Sequence, residues 1–405
     1  MRGGLETVRQ TERAAGPPPD YDARVDAVFD ELLEALPPEQ RRALEYAALL
    51  PEDQIYVPWI TELLARDGEV EAPELPGYDE EASDSVVWIL IDAQLLRVRE
   101  EDVRVVGLHR VLRRRLRERL AAADSIHALT DAVVELAKRR GEASHDAITK
   151  RTLRRELTPL TALSRELDVL GRMDAAVSLA NWLATPLIEL GRYGEGRLLL
   201  EGYANDKRME ILAIDAAATL LSNLALLLQD LGELAEARRQ VERAIEIDEQ
   251  HFGSDHLRLA IRYSNLAAIL KDLGEFADAR RRMERAIEIS EQHFDSDHPK
   301  LAIRYSNLAT ILLGVGELAD ARRWMERAIE IEQQHFDPDH PTLAISYGNL
   351  AHIEVASGNR DHACALFHRA KAILNERFPA THPQIIALVH SIEQCCTGVP
   401  TQHEP

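Results

Sequence analysis

The sequence predicts an all-α protein in which a superhelical stack of paired helices follows a small domain with one β-hairpin. The chain has 405 residues, of which 45% are hydrophobic and only 5% aromatic. This composition is typical of a globular protein, and long stretches rich in Ala, Leu, Glu and Arg favour helices over a β-sandwich or an α/β barrel. The second observation is a 42-residue period over roughly residues 213–396, which indicates a repeat architecture.

Charge and cysteine content exclude several classes of protein. The net charge is −21, which on average repels nucleic acid and anionic membranes. The three cysteines, Cys364, Cys395 and Cys396, cannot build a disulfide framework or a four-cysteine zinc site, which indicates a reducing compartment. The sequence has neither a signal peptide nor a run of about 18 apolar residues, so we expect a cytoplasmic protein with no membrane partner.

The N-terminal part predicts a short polar segment and then a compact domain. Residues 1–22 are rich in Gly and Pro and have no periodicity, so we expect them, like the tail 397–405, to be disordered. Apolar periodicity then predicts helices at about 23–36, 38–50, 58–66 and 84–94.

After these helices the apolar period changes from helical spacing to alternation. Leu96, Val98, Val103 and Val105 alternate with arginines, which predicts a two-stranded hairpin. A strongly basic helix follows from His109 to Leu120. The element order over residues 23–122 is that of a winged-helix domain.

Residues 123–212 predict helices with weaker repeat character. Two joints, Leu170-Gly171-Arg172-Met173 and Leu190-Gly191-Arg192-Tyr193, have the pattern of a helix, a turn and a second helix. We expect this segment to extend the stack as degenerate repeats.

Six columns of identical residues define the repeat over residues 213–396, and four copies are present. The columns, each with 42-residue spacing, are Gly232, Gly274, Gly316 and Gly358; Asn223, Asn265, Asn307 and Asn349; Ala237, Ala279, Ala321 and Ala363; Ala244, Ala286, Ala328 and Ala370; Phe252, Phe294, Phe336 and Phe378; and His256, His298, His340 and His382.

The sequence of each unit predicts two amphipathic helices. Apolar residues such as Ile261 and Leu266 recur at helical spacing until Gly274, which can take the left-handed conformation that closes a helix. In the turn between units we expect Asp297 to cap the next helix and Pro299 to occupy its first turn. One pair cannot bury its apolar face alone, so the pairs must stack into a solenoid with a concave surface.

These repeats resemble the tetratricopeptide repeat, in the 42-residue variant of kinesin light chains and bacterial signalling ATPases, through their Asn-Leu-Ala and Asp-His-Pro sequences. The segment from the helix at 84–94 through Leu108-His109-Arg110 resembles the winged-helix module of STAND signalling ATPases, in which a tetratricopeptide sensor often follows. No Gly-x-x-x-x-Gly-Lys-[Ser/Thr] sequence occurs, so the family's ATPase activity is not expected here. The resemblance implies a partner for this chain, either a separate signalling ATPase or an effector chain.

The Asn column is the strongest candidate binding feature. In the resembling family this mid-helix position faces the groove, where an amide can bond to an extended peptide backbone. The alternative is an Asn ladder that only connects neighbouring helices. The predicted groove residues for a protein or peptide ligand are Asn223, Asn265, Asn307, Asn349, Asp272, Thr310 and His352.

A second candidate surface is the basic helix, where Arg110, Arg113, Arg114, Arg115 and Arg117 form a patch for a protein partner or for nucleic acid. We favour a protein partner, because an acidic run at residues 67–81 of the same domain could neutralise the patch or dock a partner domain. The function predicted is therefore a non-enzymatic sensor or scaffold that recognises a protein or peptide. The alternative is a transcriptional regulator with a DNA-binding winged helix and a peptide-sensing repeat domain.

No catalytic residues, cofactor or metal site are predicted, because the chain lacks the sequence motifs of hydrolases, metalloproteases and dinucleotide-binding enzymes. Equivalent histidines of adjacent units are expected to lie too far apart to share a zinc ion. We expect them to make structural hydrogen bonds in the turns between units.

Overall fold

The computed structural model describes residues 21–67, 86–98, 104–143, 149–377 and 383–396. By its internal contacts the chain divides into two compact units, residues 1–191 and 192–405. The segments predicted to be disordered lie outside the described residues, except that Tyr21 and Asp22 already belong to the first helix.

The N-terminal unit begins with helices and a small sheet. Its elements as far as the basic helix are α1 (Tyr21–Ala35), α2 (Pro38–Leu49), β1 (Ile55–Tyr56), α3 (Val57–Arg66), α4 (Val86–Asp92), β2 (Leu96–Val98), β3 (Val105–Leu108) and α5 (Arg110–Ala122). The strands form an antiparallel sheet in the order β1-β3-β2. The helix order and the hairpin confirm the winged-helix-like architecture, and β1 is an additional strand.

Pairing on both edges of β3 fixes the register of the sheet. Val106 is opposite Ile55 on one side and Val98 on the other. Helix α5 buries Leu112, Leu116 and Leu120, which follow one another at four-residue spacing and so lie on one face. That face packs on α2, and the arginines of α5 occupy the remaining positions.

The rest of this unit consists of α6 (Ile126–Ala143), α7 (Thr149–Val169) and α8 (Met173–Glu189). The two predicted helix–turn–helix joints are present, because α8 begins three residues after Leu170 and ends just before Leu190. Gly171 and Gly191 have positive φ angles of 75° and 69° in these turns. Such angles favour glycine over residues with a Cβ atom.

The second unit is a row of helix pairs. Its elements are α9 (Tyr193–Tyr203), α10 (Asp206–Met209), α11 (Ile214–Asp230), α12 (Leu234–Phe252), α13 (Leu257–Asp272), α14 (Phe276–His293), α15 (Pro299–Val315), α16 (Leu318–His335), α17 (Pro341–Ala356), α18 (Arg360–Arg377) and α19 (Pro383–Cys396). We call α11, α13, α15 and α17 the A helices, and α12, α14, α16 and α18 the B helices. Each A helix packs on the B helix that follows it, as the solenoid prediction requires.

The turns between units are capped by histidine, so the prediction that aspartate caps these helices is wrong. Nδ1 of His298 accepts a hydrogen bond of 3.1 Å from the backbone N–H of Lys300. The same ring stacks on Phe294 with 4.1 Å between centroids. His256 and His340 repeat both contacts, whereas Phe378 and His382 lie outside the described residues. The histidines therefore have the structural role that the sequence predicted for them.

The turn within each unit depends on glycine. Gly274 has a φ of +79°, and no side chain lies within 4 Å of where its Cβ atom would be. Replacing it with alanine therefore adds backbone strain without a clash, and we expect Gly274→Ala to lower the free energy of unfolding by about 1–2 kcal/mol. Gly194→Ala, at a glycine in α9 with equally open surroundings and no positive φ, is the matched control. Equal urea midpoints for the two variants would contradict this role of Gly274.

The C-terminal helix α19 is joined covalently to the last repeat. Cys364 on α18 forms a disulfide with Cys396, with 5.7 Å between their Cα atoms, and Cys395 is a free thiol. The sequence did not predict this pairing. Ile385 and Leu388 of α19 are buried, so this helix covers the end of the row of repeats.

Candidate functional site

The A helices form the inner side of the repeat unit. Each A helix contacts the next A helix, whereas successive B helices do not approach as closely. A cleft of about 310 Å³ is lined by residues of α14 and α16 and by Leu308 and Leu312 of the A helix between them. A row that is tighter on one side curves toward that side, so the concave surface is built from A helices.

An aliphatic column runs along this inner surface. Ile261, Ile303 and Ile345 recur at 42-residue spacing, and they are 46%, 55% and 46% exposed. Ile261 was grouped with Leu266 among the apolar residues at helical spacing, but Leu266 is buried and Ile261 is not. Each isoleucine precedes an asparagine of the Asn column by four residues, so the two columns share one helix face.

The first part of the Asn column is an internal ladder. Nδ2 of Asn265 donates a hydrogen bond of 2.9 Å to the hydroxyl of Ser222 on the preceding A helix. This is the structural alternative that the sequence left open. Asn223 also has an interaction partner.

The ladder does not continue after Asn265, and the hydroxyls of the next two serines donate to other groups. Ser264 donates to the carbonyl of Ala260 at 2.7 Å, and Ser306 lies 3.5 Å from Sδ of Met325. Within the described parts of the chain, the side-chain amides of Asn307 and Asn349 have no hydrogen-bond partner. Both side chains are half-buried between the A helices.

The other predicted groove residues make local contacts. The hydroxyl of Thr310 donates to the carbonyl of Asn307 at 2.8 Å, and Nδ1 of His352 lies 2.8 Å from the carbonyl of Gly348. Asp272 accepts a hydrogen bond of 2.5 Å from Gln229. Burial and the charge of Asp272 raise the pKa of the neighbouring Asp230. The α11–α13 end of the groove is therefore acidic.

Behind the groove lies a layer of buried charges that changes from repeat to repeat. Nε of Arg262 donates to the carboxylate of Asp248 at 3.0 Å, and both side chains are buried. One repeat later Arg304 is 6% exposed, and Ser290 occupies the position equivalent to Asp248. Arg304 donates to the carbonyl of Lys300 at 2.9 Å. Among the described residues, no carboxylate pairs with Arg304.

In the next repeat the buried charged group is a carboxyl group that has no arginine beside it among the described residues. Glu332 is buried and accepts a hydrogen bond of 3.0 Å from Ser346, which stands where the earlier repeats have arginine. Burial raises the pKa of Glu332 to about 7. The pair formed by Arg262 and Asp248 thus becomes an unpaired arginine and then an unpaired glutamate along the row.

Several arginines of the basic helix α5 form ion pairs and hydrogen bonds with other residues of the N-terminal unit. Arg113 donates to the carbonyl of Leu50 at 2.8 Å and lies 2.6 Å from Glu166. Arg117 also pairs with Glu166 and donates to the carbonyl of Ala48.

Of the remaining arginines of the patch, Arg115 pairs with Asp30, whereas Arg110 and Arg114 are exposed, with Arg114 3.8 Å from Glu118. The hydrogen bond from Arg115 lowers the pKa of Asp30. The five residues of the predicted patch are therefore not equally available to a partner.

The convex surface carries a second connection between repeats. Arg238 pairs with Glu242 on its own helix and with Glu275 of the next repeat at 3.0 Å. Arg280 does the same with Glu284 and Glu317. These arginines bridge repeats as well as lying on the solvated face.

The described residues include neither a metal-binding cluster nor a membrane-spanning helix. Among these residues, no group of three or more His, Cys, Asp or Glu side chains could hold a metal ion. Every helix in the described part of the chain is too short or too polar to span a lipid bilayer.

Comparison with known families agrees with this geometry. The tetratricopeptide repeat family matches residues 216–292, 263–334 and 300–376. Residues 216–376 are tetratricopeptide repeats. Tetratricopeptide repeats are associated with protein–protein interaction, so this segment is a protein-interaction module.

Several solved structures are similar to the chain. BtubC from P. vanneervenii has 22% sequence identity and a TM-score of 0.43, with 62% of this chain and 95% of that one covered. A kinesin light chain with nearly identical TPR-like repeats from Podosopora anserina has 20% identity and a TM-score of 0.36, with 55% and 98% covered.

A STAND protein with a tetratricopeptide repeat sensor from Pyrococcus horikoshii has 14% identity and a TM-score of 0.45. The similarity covers 91% of this chain and 54% of that protein, so the chain spans about half of its length. The comparison with curated proteins gives no match.

Proposed function

We propose that the tetratricopeptide repeats bind an extended protein segment along the inner surface, as a non-enzymatic sensor or scaffold. The observation that carries this proposal is the pair of unpartnered amides, Asn307 and Asn349, beside the exposed isoleucine column. A half-buried amide without a partner loses hydrogen bonds to water, and a bound peptide backbone would restore them. The isoleucines would then bury apolar area against the ligand.

Two features support a peptide in preference to a small molecule. The residues that line the surface belong to three successive A helices, so the site is long and open. Its polar groups are spaced along the row, which suits a ligand that offers backbone groups at intervals.

The test begins with peptides selected from a display library of random 12-residue sequences on the full chain. For a selected peptide, the double variant Asn307→Ala, Asn349→Ala should lose about tenfold to a hundredfold in affinity, because each amide–backbone hydrogen bond contributes ~0.5–1.5 kcal/mol. Circular dichroism should show an unchanged helical fold.

Asn265→Ala is the matched control, because its amide already bonds Ser222. This variant should keep its affinity for the selected peptide and lose stability. If affinity falls for Asn265→Ala but not for the double variant, the groove is not used as proposed.

The contacts that the arginines of α5 make within their own unit favour a protein partner over DNA. Arg113 and Arg117 are held by Glu166 and by backbone carbonyls, which leaves fewer cations for phosphate groups. We therefore do not favour the regulator that binds DNA. A signalling ATPase or effector chain remains the partner we propose for this domain.

We also propose a cytoplasmic location for the protein. The disulfide between Cys364 and Cys396 counts against it, because such bonds are typical of oxidising compartments.

A further inference from the structure

We infer that the ligand of the inner surface is a polyproline II segment with an aliphatic side chain at every third residue and a basic residue at one end. This inference rests on the proposed function, since it names the class of peptide that the same surface would bind. It follows from the spacing of the A helices, the unpartnered amides and the charge at the end of the groove.

Side-chain contacts show how closely successive A helices approach. Between α11 and α13, Asn265 reaches Ser222 at 2.9 Å, and Nη2 of Arg262 reaches Thr219 at 3.1 Å. Gln229 and Asp272 meet at 2.5 Å near the other end of the same helices. Helices in direct contact have axes about 8–10 Å apart, so the isoleucine column repeats at about that distance.

This repeat distance discriminates between peptide conformations. In a β-strand, side chains on one face recur every two residues, at about 6.6–6.8 Å, which is too short. A polyproline II helix rises 3.1 Å per residue with three residues per turn, so one face recurs at about 9.3 Å. Seven residues of an α-helix span about 10.5 Å and also come close.

The asparagine amides decide between the last two conformations. Asn307 and Asn349 need backbone partners, and the interior of an α-helix has already used its carbonyls in hydrogen bonds of its own. A polyproline II segment makes no internal hydrogen bonds, so its carbonyls can accept from both amides.

Charge complementarity indicates where a basic residue would lie. Asp230 has no ion-pair or hydrogen-bond partner among the described residues, and the carboxylate of Asp272 is near enough to raise its pKa. Lys271 compensates Asp272 in part, at 3.5 Å. The equivalent positions of the next two repeats are Gly314 and Ala356, so this column is negatively charged only at the α11–α13 end.

The experiment uses two fluorescein-labelled peptides of identical composition. One is Lys-Pro-Pro-Ile-Pro-Pro-Ile-Pro-Pro-Ile-Pro-Pro-Lys, with isoleucine at every third position and a lysine at each end to serve either orientation. The other is Lys-Pro-Ile-Pro-Ile-Pro-Ile-Pro-Pro-Pro-Pro-Pro-Lys. Fluorescence anisotropy with the full chain should give at least tenfold tighter binding for the first peptide. Equal binding, or no binding of either, would overturn the inference.

Variants locate the site. Ile303→Ser should weaken binding of the first peptide about tenfold through lost apolar burial, and Asp230→Asn should weaken it by a smaller factor at low salt. Leu198→Ser is the matched control, because Leu198 is an aliphatic residue of α9 that is 66% exposed and lies outside the A helices. If Leu198→Ser weakens binding as much as Ile303→Ser does, the inference is wrong.

The outcome separates this inference from the proposed function. Library-selected peptides that depend on Asn307 and Asn349, but lack the three-residue period, would leave the proposed function intact and overturn the polyproline II inference. A helical peptide with isoleucine at every seventh residue that binds more tightly than the first peptide would do the same. Selected peptides that ignore both asparagines would count against both proposals.

Discussion

Replacing Asp248 with alanine is expected to lower the free energy of unfolding by about 3 kcal/mol, because it leaves the buried guanidinium of Arg262 without its carboxylate. Removing one partner of a buried ion pair typically costs about 3–5 kcal/mol. We expect the lower end of this range, because Arg262 can turn toward a carbonyl of its own helix, as Arg304 does. Neighbouring repeats should lose stability as well, since they share interfaces.

The same layer offers a matched comparison one repeat later. Ser290 is the equivalent of Asp248, and Ser290→Ala should change stability much less, because its hydroxyl bonds only the carbonyl of Ala286. Ser290→Asp should stabilise the protein by supplying Arg304 with the missing carboxylate. Urea unfolding followed by circular dichroism measures all three variants. If Asp248→Ala and Ser290→Ala unfold at the same urea concentration, the buried pair does not stabilise the fold as described.

Glu332→Gln is expected to stabilise the protein at pH 8 by up to about 3 kcal/mol and to leave it nearly unchanged at pH 4.5. In the folded state the pKa of Glu332 is raised to about 7 by burial, from an ordinary value of 4.5. Between these values the unfolded chain releases the proton while the folded protein keeps it, so wild-type stability falls as pH rises from about 4.5 to 7. Each pH unit of this window corresponds to at most ~1.4 kcal/mol.

Glutamine removes this dependence, because it stays neutral and can still accept the hydrogen bond from Ser346. The control is Glu330→Gln on the same helix, whose side chain is exposed and pairs with Arg327 at 3.0 Å. Urea midpoints at pH 4.5, 6 and 8 give the comparison. Parallel pH profiles for wild type and Glu332→Gln would show that the carboxyl group does not titrate near neutral pH.

Much of the fold could be predicted from the sequence, because the determining signals are local. The 42-residue columns fix the helix pairs, and glycine at a positive φ fixes the turn at Gly274. The hairpin followed from alternation of apolar residues. Strand β1 was missed because two residues, Ile55 and Tyr56, are too short to show alternation.

The site was harder to predict, because it depends on how repeats stack. Ile261 has the helical spacing of a core residue, and only the contact between A helices shows that it faces the inner surface. Whether the amide of an asparagine bonds to the neighbouring A helix or stays unpartnered depends on the orientation of a serine hydroxyl on that helix. Sequence columns cannot supply that information, so Asn265 and Asn307 looked equivalent.

The buried charges left a signal that the sequence interpretation did not use. Asp248, Ser290 and Glu332 form one column, and Arg262, Arg304 and Ser346 form another. Each column changes where the Phe and His columns do not. After Asp248 and Arg262, the two columns no longer pair a carboxylate with an arginine. This becomes visible only when the structure shows that the two columns lie side by side.

The measurement that tests peptide recognition most directly is a crystal structure of the full chain with the tightest library-selected peptide. We expect the peptide to lie across α13, α15 and α17, with backbone carbonyls within hydrogen-bond distance of Nδ2 of Asn307 and Asn349. Its apolar side chains should contact Ile261, Ile303 or Ile345. A peptide bound in the cleft between α14 and α16 or on α5, with neither amide in contact with it, would contradict recognition by the inner surface.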